Sequence, residues 1–328
     1  MSGLYYPYKV LISIIIFIVG LVILETGAEA MVRGSVGIAR RLGLSQIVIG
    51  LTIVAFGTSA PELLVSVIAA IKKSSDLSIG NVVGSNIANI GLIVGLTAIV
   101  LPIRFDRSLL RMDIPVLFIS MVALFFFSID GSISRWDAVA LFCGLILFII
   151  TTYRSVSKRG NNNTEGKEDI GIPSSLFIGI IAVIVGIAGL VGGAHLMVKS
   201  AVSIARTLGI SELVIGATVV AIGTSLPELA TSMVAVIKRQ PDIGLGNVIG
   251  SNIFNVCCIL GIAPLIRPLG VNPSLPHREY PIMIIFSILL ALMLTKSRNY
   301  ISRWEGAFLF ISFVGFLVWC FYHGGAAV

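Results

Sequence analysis

The chain has 328 residues, of which 56% are hydrophobic and only 12% are charged, and its mean hydropathy is +1.03. Soluble domains carry roughly twice this share of charged residues, so the composition excludes a water-soluble enzyme. The formal net charge is +7, but the basic residues lie in small groups between apolar runs, as they do in membrane loops. We therefore expect the chain to contact a lipid bilayer and not a nucleic acid.

Ten apolar stretches predict the elements that span the membrane. Four of them hold only 16 or 17 residues, so these helices must extend into flanking polar residues or meet a thin bilayer. Transmembrane β-barrels show short alternating segments instead. The sequence therefore predicts an all-α polytopic membrane protein with helices at 10–31, 47–71, 77–101, 114–129, 138–153, 174–198, 213–237, 243–266, 280–295 and 306–322.

The first stretch allows a second interpretation, because Lys9, the apolar run after it and the Ala-Glu-Ala at 28–30 resemble a secretory signal with its cleavage site. Its counterpart in the second half, 174–198, is internal, which favours a transmembrane helix at both places.

The cysteines lie in apolar stretches without metal-ligand spacing, so we expect neither a disulfide framework nor a thiolate metal site at Cys143, Cys257, Cys258 and Cys320.

The Lys and Arg residues predict the orientation in a plasma (inner) membrane. Loops after odd-numbered helices hold 15 of the 23 Lys and Arg residues, so these loops are expected to be cytoplasmic and both termini external. The loop at 154–173 is polar and poor in aromatic residues, which indicates a solvated linker, although it could also bind a regulator. Its residues 159–173 separate two halves, 1–158 and 174–328.

The two halves share one sequence pattern. A shift of 166 residues aligns 43–102 with 209–268 without a gap, and 30 of the 60 aligned positions are identical. The pattern G-T-S-x-P-E occurs at 57–62 and 223–228, and G-N-V-x-G-S-N-I-x-N occurs at 80–89 and 246–255. Because each half has five predicted helices, an odd number, the second half must enter the membrane from the opposite side. The sequence therefore predicts two inverted five-helix repeats, which are typical of transporters.

Glu62 and Glu228 are the only acidic residues deep inside predicted helices, and no Lys or Arg shares those helices. A carboxylate at the bilayer centre costs at least about 2.5 kcal/mol, so each needs a partner or a function. Pro61 and Pro227 lack an amide hydrogen, so both helices are expected to open there and free backbone carbonyls. Oxygen atoms of nearby residues complete the candidate site, namely those of Ala55, Thr58, Ser59, Ser85 and Asn89 and of Ala221, Thr224, Ser225, Ser251 and Asn255.

Two carboxylates among neutral oxygens suit a hard cation. Ca²⁺ takes six to eight such ligands and Na⁺ accepts the same type, whereas zinc and copper prefer His or Cys. Protons are a further possibility. The structural alternative is that both glutamates are protonated and cap broken helices, while Ser and Asn only join helices. The recurrence of the pattern in both halves favours the ion site.

The duplicated motifs resemble the α-repeats of the calcium/cation antiporter superfamily and are most similar to those of prokaryotic sodium/calcium exchangers. The resemblance covers nearly the whole chain. It implies that Glu62 and Glu228 coordinate Ca²⁺ and that the neighbouring side chains and carbonyls form Na⁺ sites. It also implies a secondary active antiporter that works by alternating access, is not an enzyme, needs no cofactor beyond the transported ions Ca²⁺ and Na⁺, and functions as a monomer.

One position departs from some relatives, including potassium-dependent exchangers, in which Asp stands where this chain has Asn255. Both halves have Asn here, which implies a site charge of −2, no K⁺ requirement and electrogenic exchange if a third Na⁺ binds.

Two alternative functions stay open. Proton-coupled Ca²⁺ antiport is one, although proton-coupled relatives usually have another pattern around Ser59 and Ser225; a passive cation channel is the other, although such channels use rings of identical subunits.

The first and sixth predicted helices are expected to slide across the site, with close helix contacts through Gly186, Gly189, Gly192 and Gly193. Glu25 and Glu29, near the end of the first predicted helix, are interpreted as a solvated helix end or as the lining of an ion path. The counterpart of Glu29 in the second half is His195, which we interpret as a residue reaching toward the membrane surface.

Overall fold

The structure, a computed structural model, describes residues 5–105, 113–157, 175–207, 221–296 and 298–323. Within these ranges, seven helices are long and apolar enough to span a bilayer, or eight if one bent pair counts as a span, and two shorter apolar helices accompany them. The helices are α1 (Tyr5–Leu42), α2 (Gln46–Thr58), α3 (Ala60–Ile71), α4 (Ser75–Val100), α5 (Asp113–Phe127), α6 (Arg135–Ser157), α7 (Leu176–Thr207), α8 (Ala221–Thr224), α9 (Leu226–Ile237), α10 (Pro241–Ile266), α11 (Glu279–Thr295) and α12 (Arg303–His323).

The order of the described elements repeats, since α2–α6 of the first half correspond to α8–α12 of the second. The predicted linker 159–173 and the first part of the predicted helix 213–237 lie outside the described residues. Helices α4 and α10 occupy the centre: 83% of the most apolar 18-residue window of each is buried, against 28% or less in α1, α6, α7 and α12. The two central helices are those that carry the second duplicated motif.

Helices α1 and α7 are longer than hydropathy predicts. They have 38 and 32 residues, whereas the apolar stretches end at residues 31 and 198. The helical hydrogen-bond pattern continues through polar residues, because apolarity marks the membrane interior and not the end of a helix. At 1.5 Å per residue α1 is about 57 Å long, more than a hydrocarbon layer of about 30 Å requires.

Glycines hold α1 and α7 together. A Cβ atom on Gly186 would lie 2.6 Å from the Met31 backbone nitrogen, and one on Gly193 would lie 2.5 Å from that of Leu24. A Cβ on Gly189 would lie 3.0 Å from the Gly27 Cα. The expected close helix contacts are therefore made with α1 at Gly186, Gly189 and Gly193, because the absence of side chains lets two membrane helices approach closely, whereas a Cβ on Gly192 would meet nothing within 4 Å.

In the part of the chain that the structure describes, four two-residue strands interrupt the helical fold. β1 (Ile103–Arg104) pairs antiparallel with β4 (Tyr300–Ile301), and β2 (Ser132–Ile133) pairs antiparallel with β3 (Leu269–Gly270). The described residues are mostly helical, as the predicted all-α class requires, but the sequence did not predict these strands, because two residues are too few to show an alternating pattern. Each pair joins a strand of one half to a strand of the other, so the two halves are interlocked.

Among the described residues, π-helical turns occur in three helices, at Gly50–Val54 in α2, Asn89–Val94 in α4 and Asn255–Ile259 in α10. Such turns interrupt the regular hydrogen-bond pattern and are frequent at functional sites. The turns in α4 and α10 begin at two residues of the candidate site. The sequence did not predict them, since a π turn has no distinctive composition.

Candidate functional site

The two glutamates follow equivalent breaks in their helices. Helices α2 and α3 form one bent pair with an angle of 47° between them, and Ser59 lies at the break. Ser59 has φ −82° and ψ 7°, and Ser225, between α8 and α9, has φ −87° and ψ 4°. Glu62 and Glu228 then lie in the first turns of α3 and α9, where the helix dipole favours negative charge.

The break frees fewer carbonyls than the prolines suggest. The Ser59 amide still donates to the Ala55 carbonyl at 3.0 Å, and the Leu63 amide donates to the Ser59 carbonyl at 3.1 Å. The expectation that the Ala55 carbonyl loses its amide partner is wrong, because the bend lies after Thr58 and leaves the preceding turn intact. Only the second lone pair of this oxygen could bind an ion, and the Thr58 hydroxyl lies 3.4 Å from it. Ala221 begins α8 at the equivalent position.

Each glutamate is held by a hydroxyl group of the other half. The Ser59 hydroxyl donates to Glu228 Oε1 at 3.0 Å, and the Thr224 hydroxyl is hydrogen-bonded to Glu62. Both glutamates are only 1% exposed, and they lie near enough to interact electrostatically. The two duplicated motifs therefore build one shared site and not two separate ones.

The predicted site residues lie together inside the protein. Thr224 is partly exposed, and the others whose side chains the structure describes are buried: Thr58, Ser59, Glu62, Ser85, Asn89, Ser225, Glu228, Ser251 and Asn255. The Thr58 hydroxyl is engaged by Asn247 Oδ1 at 3.0 Å. Burial on this scale means that, in this conformation, these side chains are shielded from solvent.

Several buried oxygens of the site have no hydrogen-bond partner among the described residues, namely Glu62 Oε2, Glu228 Oε2, Asn89 Oδ1, Asn255 Oδ1, Ser225 Oγ and Ser251 Oγ. The amide oxygens and an ionised carboxylate can only accept, and buried acceptors without a donor are rare and costly. A cation would satisfy all of them. Carboxylate, amide and hydroxyl oxygens are the ligands of hard cations. The described residues contain no cluster of three or more His, Cys, Asp or Glu side chains placed to hold a metal ion.

Two asparagines that sequence reasoning missed join the central helices to the glutamate-bearing helices. Asn81 Nδ2 donates to the Glu62 carbonyl at 3.1 Å, and Asn247 Nδ2 lies 3.4 Å from the Glu228 carbonyl in the same role. Asn247 is also the residue that accepts from the Thr58 hydroxyl. Both asparagines belong to the second motif, and their identity in the two halves was the signal that could have found them.

Glu29 is neither a helix end nor a free solvated residue, because α1 continues to Leu42. Its carboxylate pairs with Arg33 one turn later and with Lys238 Nζ at 2.6 Å, directly after α9. The ion pair connects α1 to the end of the helix that carries Glu228. His195 at the corresponding position of α7 cannot supply a carboxylate, so this ion pair has no equivalent at the mirrored position.

Known proteins resemble this chain over nearly its full length. Residues 12–154 and 178–322 match the sodium/calcium exchanger protein family. The chain is 36% identical over 319 residues to the inner membrane protein YrbG of Escherichia coli, covering 94% of this chain and 96% of YrbG. It is 35% identical over 347 residues to the sodium/calcium exchanger MaX1 of Methanosarcina acetivorans, covering 95% and 99%. The solved structure of the sodium-calcium exchanger NCX_Mj superimposes with a TM-score of 0.80 at 35% identity, covering 94% of this chain and 99% of that one.

Proposed function

Since the chain belongs to the sodium/calcium exchanger family of membrane antiporters, we propose that it exchanges Na⁺ for Ca²⁺ at the site shared by Glu62 and Glu228. The observation that carries this proposal is a set of four buried acceptors, one carboxylate and one amide oxygen from each half, that have no hydrogen-bond partner among the described residues. Two carboxylates balance one Ca²⁺ or two Na⁺, so either ion can replace the other at low electrostatic cost.

The charge of the site supports electrogenic, K⁺-independent exchange. Asn89 and Asn255 are neutral, so the two glutamates alone give the site a formal charge of −2. If a third Na⁺ binds to neutral oxygens, the Na⁺-loaded site has a net charge of +1, whereas the Ca²⁺-loaded site is neutral. One net positive charge then crosses the membrane in each exchange cycle. No third carboxylate is present in the proposed ligand set to hold K⁺ as well.

The architecture that we propose is two inverted five-helix repeats, 1–158 and 174–328, in one membrane domain, with both termini outside and residues 159–173 in the cytoplasm. The repeated order of the described elements and the reciprocal strand pairs support this arrangement. The full burial of Glu62 and Glu228 supports alternating access, because the ions must be exposed to one side at a time. We further propose that α1 and α7 move as one unit across the site.

Proton-coupled Ca²⁺ antiport is the second candidate. It is favoured by the burial of two carboxylates near each other, since such groups could carry protons instead of Na⁺. The hydroxyl groups of Ser59 and Ser225 argue for Na⁺, because they add neutral oxygen ligands that a proton does not need.

The proposed site is tested with purified protein in proteoliposomes loaded with Na⁺, in which uptake of external ⁴⁵Ca²⁺ is measured. We expect Glu62→Gln and Glu228→Gln to reduce uptake to the level of empty vesicles, because each removes half of the site charge. Asp76→Asn is the matched control: Asp76 is an exposed carboxylate in the first turn of α4, and its loss should leave uptake unchanged. Undiminished uptake in either of the first two variants would contradict the proposal.

A further inference from the structure

Four buried asparagines connect the two halves beside the proposed ion site. Asn89 and Asn255 are proposed ligands. Asn86 and Asn252 lie three residues earlier on α4 and α10, and the function proposed above gives them no role. None of the four is more than 1% exposed, so each amide group must find its partners inside the protein.

A backbone carbonyl sets the direction of the Asn86 amide. Asn86 Nδ2 lies 3.2 Å from the Asn252 carbonyl oxygen, with Met283 Sδ at 3.7 Å as a weaker acceptor. Because a carbonyl oxygen can only accept, the amide nitrogen of Asn86 must face it, and the amide oxygen must face the other way. This orientation follows from the carbonyl and does not depend on how an amide group is assigned.

The orientation of the Asn86 amide determines that of the Asn255 amide. Asn86 Oδ1 accepts a hydrogen bond from Asn255 Nδ2 at 3.0 Å. The Asn255 nitrogen is therefore engaged, and its Oδ1 atom has no hydrogen-bond partner in the described part of the chain. The oxygen of this amide is the atom left to bind an ion.

The second half mirrors the same chain of contacts. Asn252 Nδ2 donates to the Asn86 carbonyl at 3.4 Å, and Asn252 Oδ1 accepts from Asn89 Nδ2 at 2.9 Å. Asn89 Oδ1 is again left without a partner among the described residues. The hydrogen bonds among these four asparagines thus have counterparts 166 residues away, and each asparagine ligand is hydrogen-bonded to the half to which it does not belong.

We propose that Asn86 and Asn252 are positioning residues that keep the oxygens, and not the amino groups, of Asn255 and Asn89 toward the transported ion. If the amide group of Asn255 or Asn89 were rotated by 180°, its N–H hydrogens would face the cation and repel it. Fixing the rotation removes that non-binding orientation. Residues that orient metal ligands in this way commonly contribute 10–100-fold to affinity. The inference rests on the proposed Na⁺/Ca²⁺ site.

The test measures ion binding separately from transport. Ca²⁺ and Na⁺ are titrated into the purified full-length protein in detergent, and apparent affinity is read from the rise in its unfolding temperature. We expect Asn86→Leu, which keeps the volume and removes both contacts, to weaken binding about 10-fold. Thr97→Val is the matched control: Thr97 also lies on α4, is 1% exposed, and its hydroxyl has no hydrogen-bond partner among the described residues. Its affinity should equal that of the unaltered protein.

A double-mutant cycle separates positioning from a general structural role. If Asn86 acts through Asn255, then Asn86→Leu should have no further effect on affinity in the Asn255→Ala background. A second 10-fold loss there would overturn the proposal. Should Asn86→Leu fail to fold, Asn252→Leu with Asn89→Ala makes the same test in the mirrored contacts. A protein that binds Ca²⁺ without exchanging it would contradict the proposed function alone, whereas one that binds neither ion would overturn both.

Discussion

Ser59 of the first half donates a 3.0 Å hydrogen bond to the Glu228 carboxylate of the second half. Its counterpart Ser225 has a hydroxyl group with no hydrogen-bond partner among the described residues, although both serines belong to the same motif. Identical sequences are therefore used differently around one site. An inverted-repeat transporter requires such a difference, because its two halves exchange their conformations between the two states.

Ser59→Ala and Ser225→Ala should therefore differ in stability. Loss of the Ser59 hydroxyl removes a donor from a buried carboxylate, which costs about 1–3 kcal/mol. Loss of the Ser225 hydroxyl leaves no donor or acceptor of the described residues unpaired, so its cost should be smaller. Thermal unfolding of both variants in ion-free detergent solution measures the difference. Equal unfolding temperatures would show that the Ser59–Glu228 bond does not stabilise this state.

The loss of stability on substitution of a glycine in α7 should depend on whether that glycine faces α1. In Gly193→Ala the new Cβ would lie 2.5 Å from the Leu24 backbone nitrogen, so the helices must separate. Overpacking of this kind typically costs about 1–3 kcal/mol. Gly192→Ala is the neighbouring control, since a Cβ there meets nothing within 4 Å. A lower unfolding temperature for Gly193→Ala alone is the expected result, and equal behaviour of the two variants would contradict the packing described here.

The ion pair between Glu29 and Lys238 should contribute little to stability. Both side chains are about one-third exposed, at 32% and 31%, and pairs of this kind contribute roughly 0.2–1 kcal/mol. A double-mutant cycle with Glu29→Gln and Lys238→Gln, measured by thermal unfolding at low and high salt, gives the coupling energy. It should fall as salt is added. Additive effects of the two substitutions would mean that the pair does not hold α1 in place.

Exchange of three Na⁺ for one Ca²⁺ should depend on membrane potential. Uptake of one Ca²⁺ against three departing Na⁺ carries one net positive charge outward, so an inside-positive potential should accelerate it. The driving force per charge is about 2.3 kcal/mol per 100 mV. Initial ⁴⁵Ca²⁺ uptake into Na⁺-loaded vesicles is measured at potentials set by K⁺ and valinomycin. A rate independent of potential would indicate electroneutral exchange of two Na⁺ for one Ca²⁺.

The sequence predicted the helical class and the meeting of Glu62 with Glu228, because duplicated, unneutralised carboxylates in apolar helices have few explanations. It could not predict that Glu29 pairs with Lys238, since residues 209 positions apart in the chain come together only after α1 packs on α9. It named Asn89 as a candidate ligand and gave Asn86 no role. Asn86 and Asn89 are both identical in the two halves, and only the three-dimensional contacts show that Asn86 accepts a hydrogen bond from the Asn255 amide of the other half.

Sodium coupling is tested most directly by comparing ⁴⁵Ca²⁺ uptake into three sets of otherwise identical proteoliposomes: Na⁺-loaded, K⁺-loaded, and K⁺-loaded with a pH gradient. We expect uptake only in the Na⁺-loaded vesicles, and its loss in Glu62→Gln and Glu228→Gln. Uptake driven by the pH gradient alone would contradict sodium coupling and make the two glutamates proton carriers. Uptake in all three sets would identify a passive pathway.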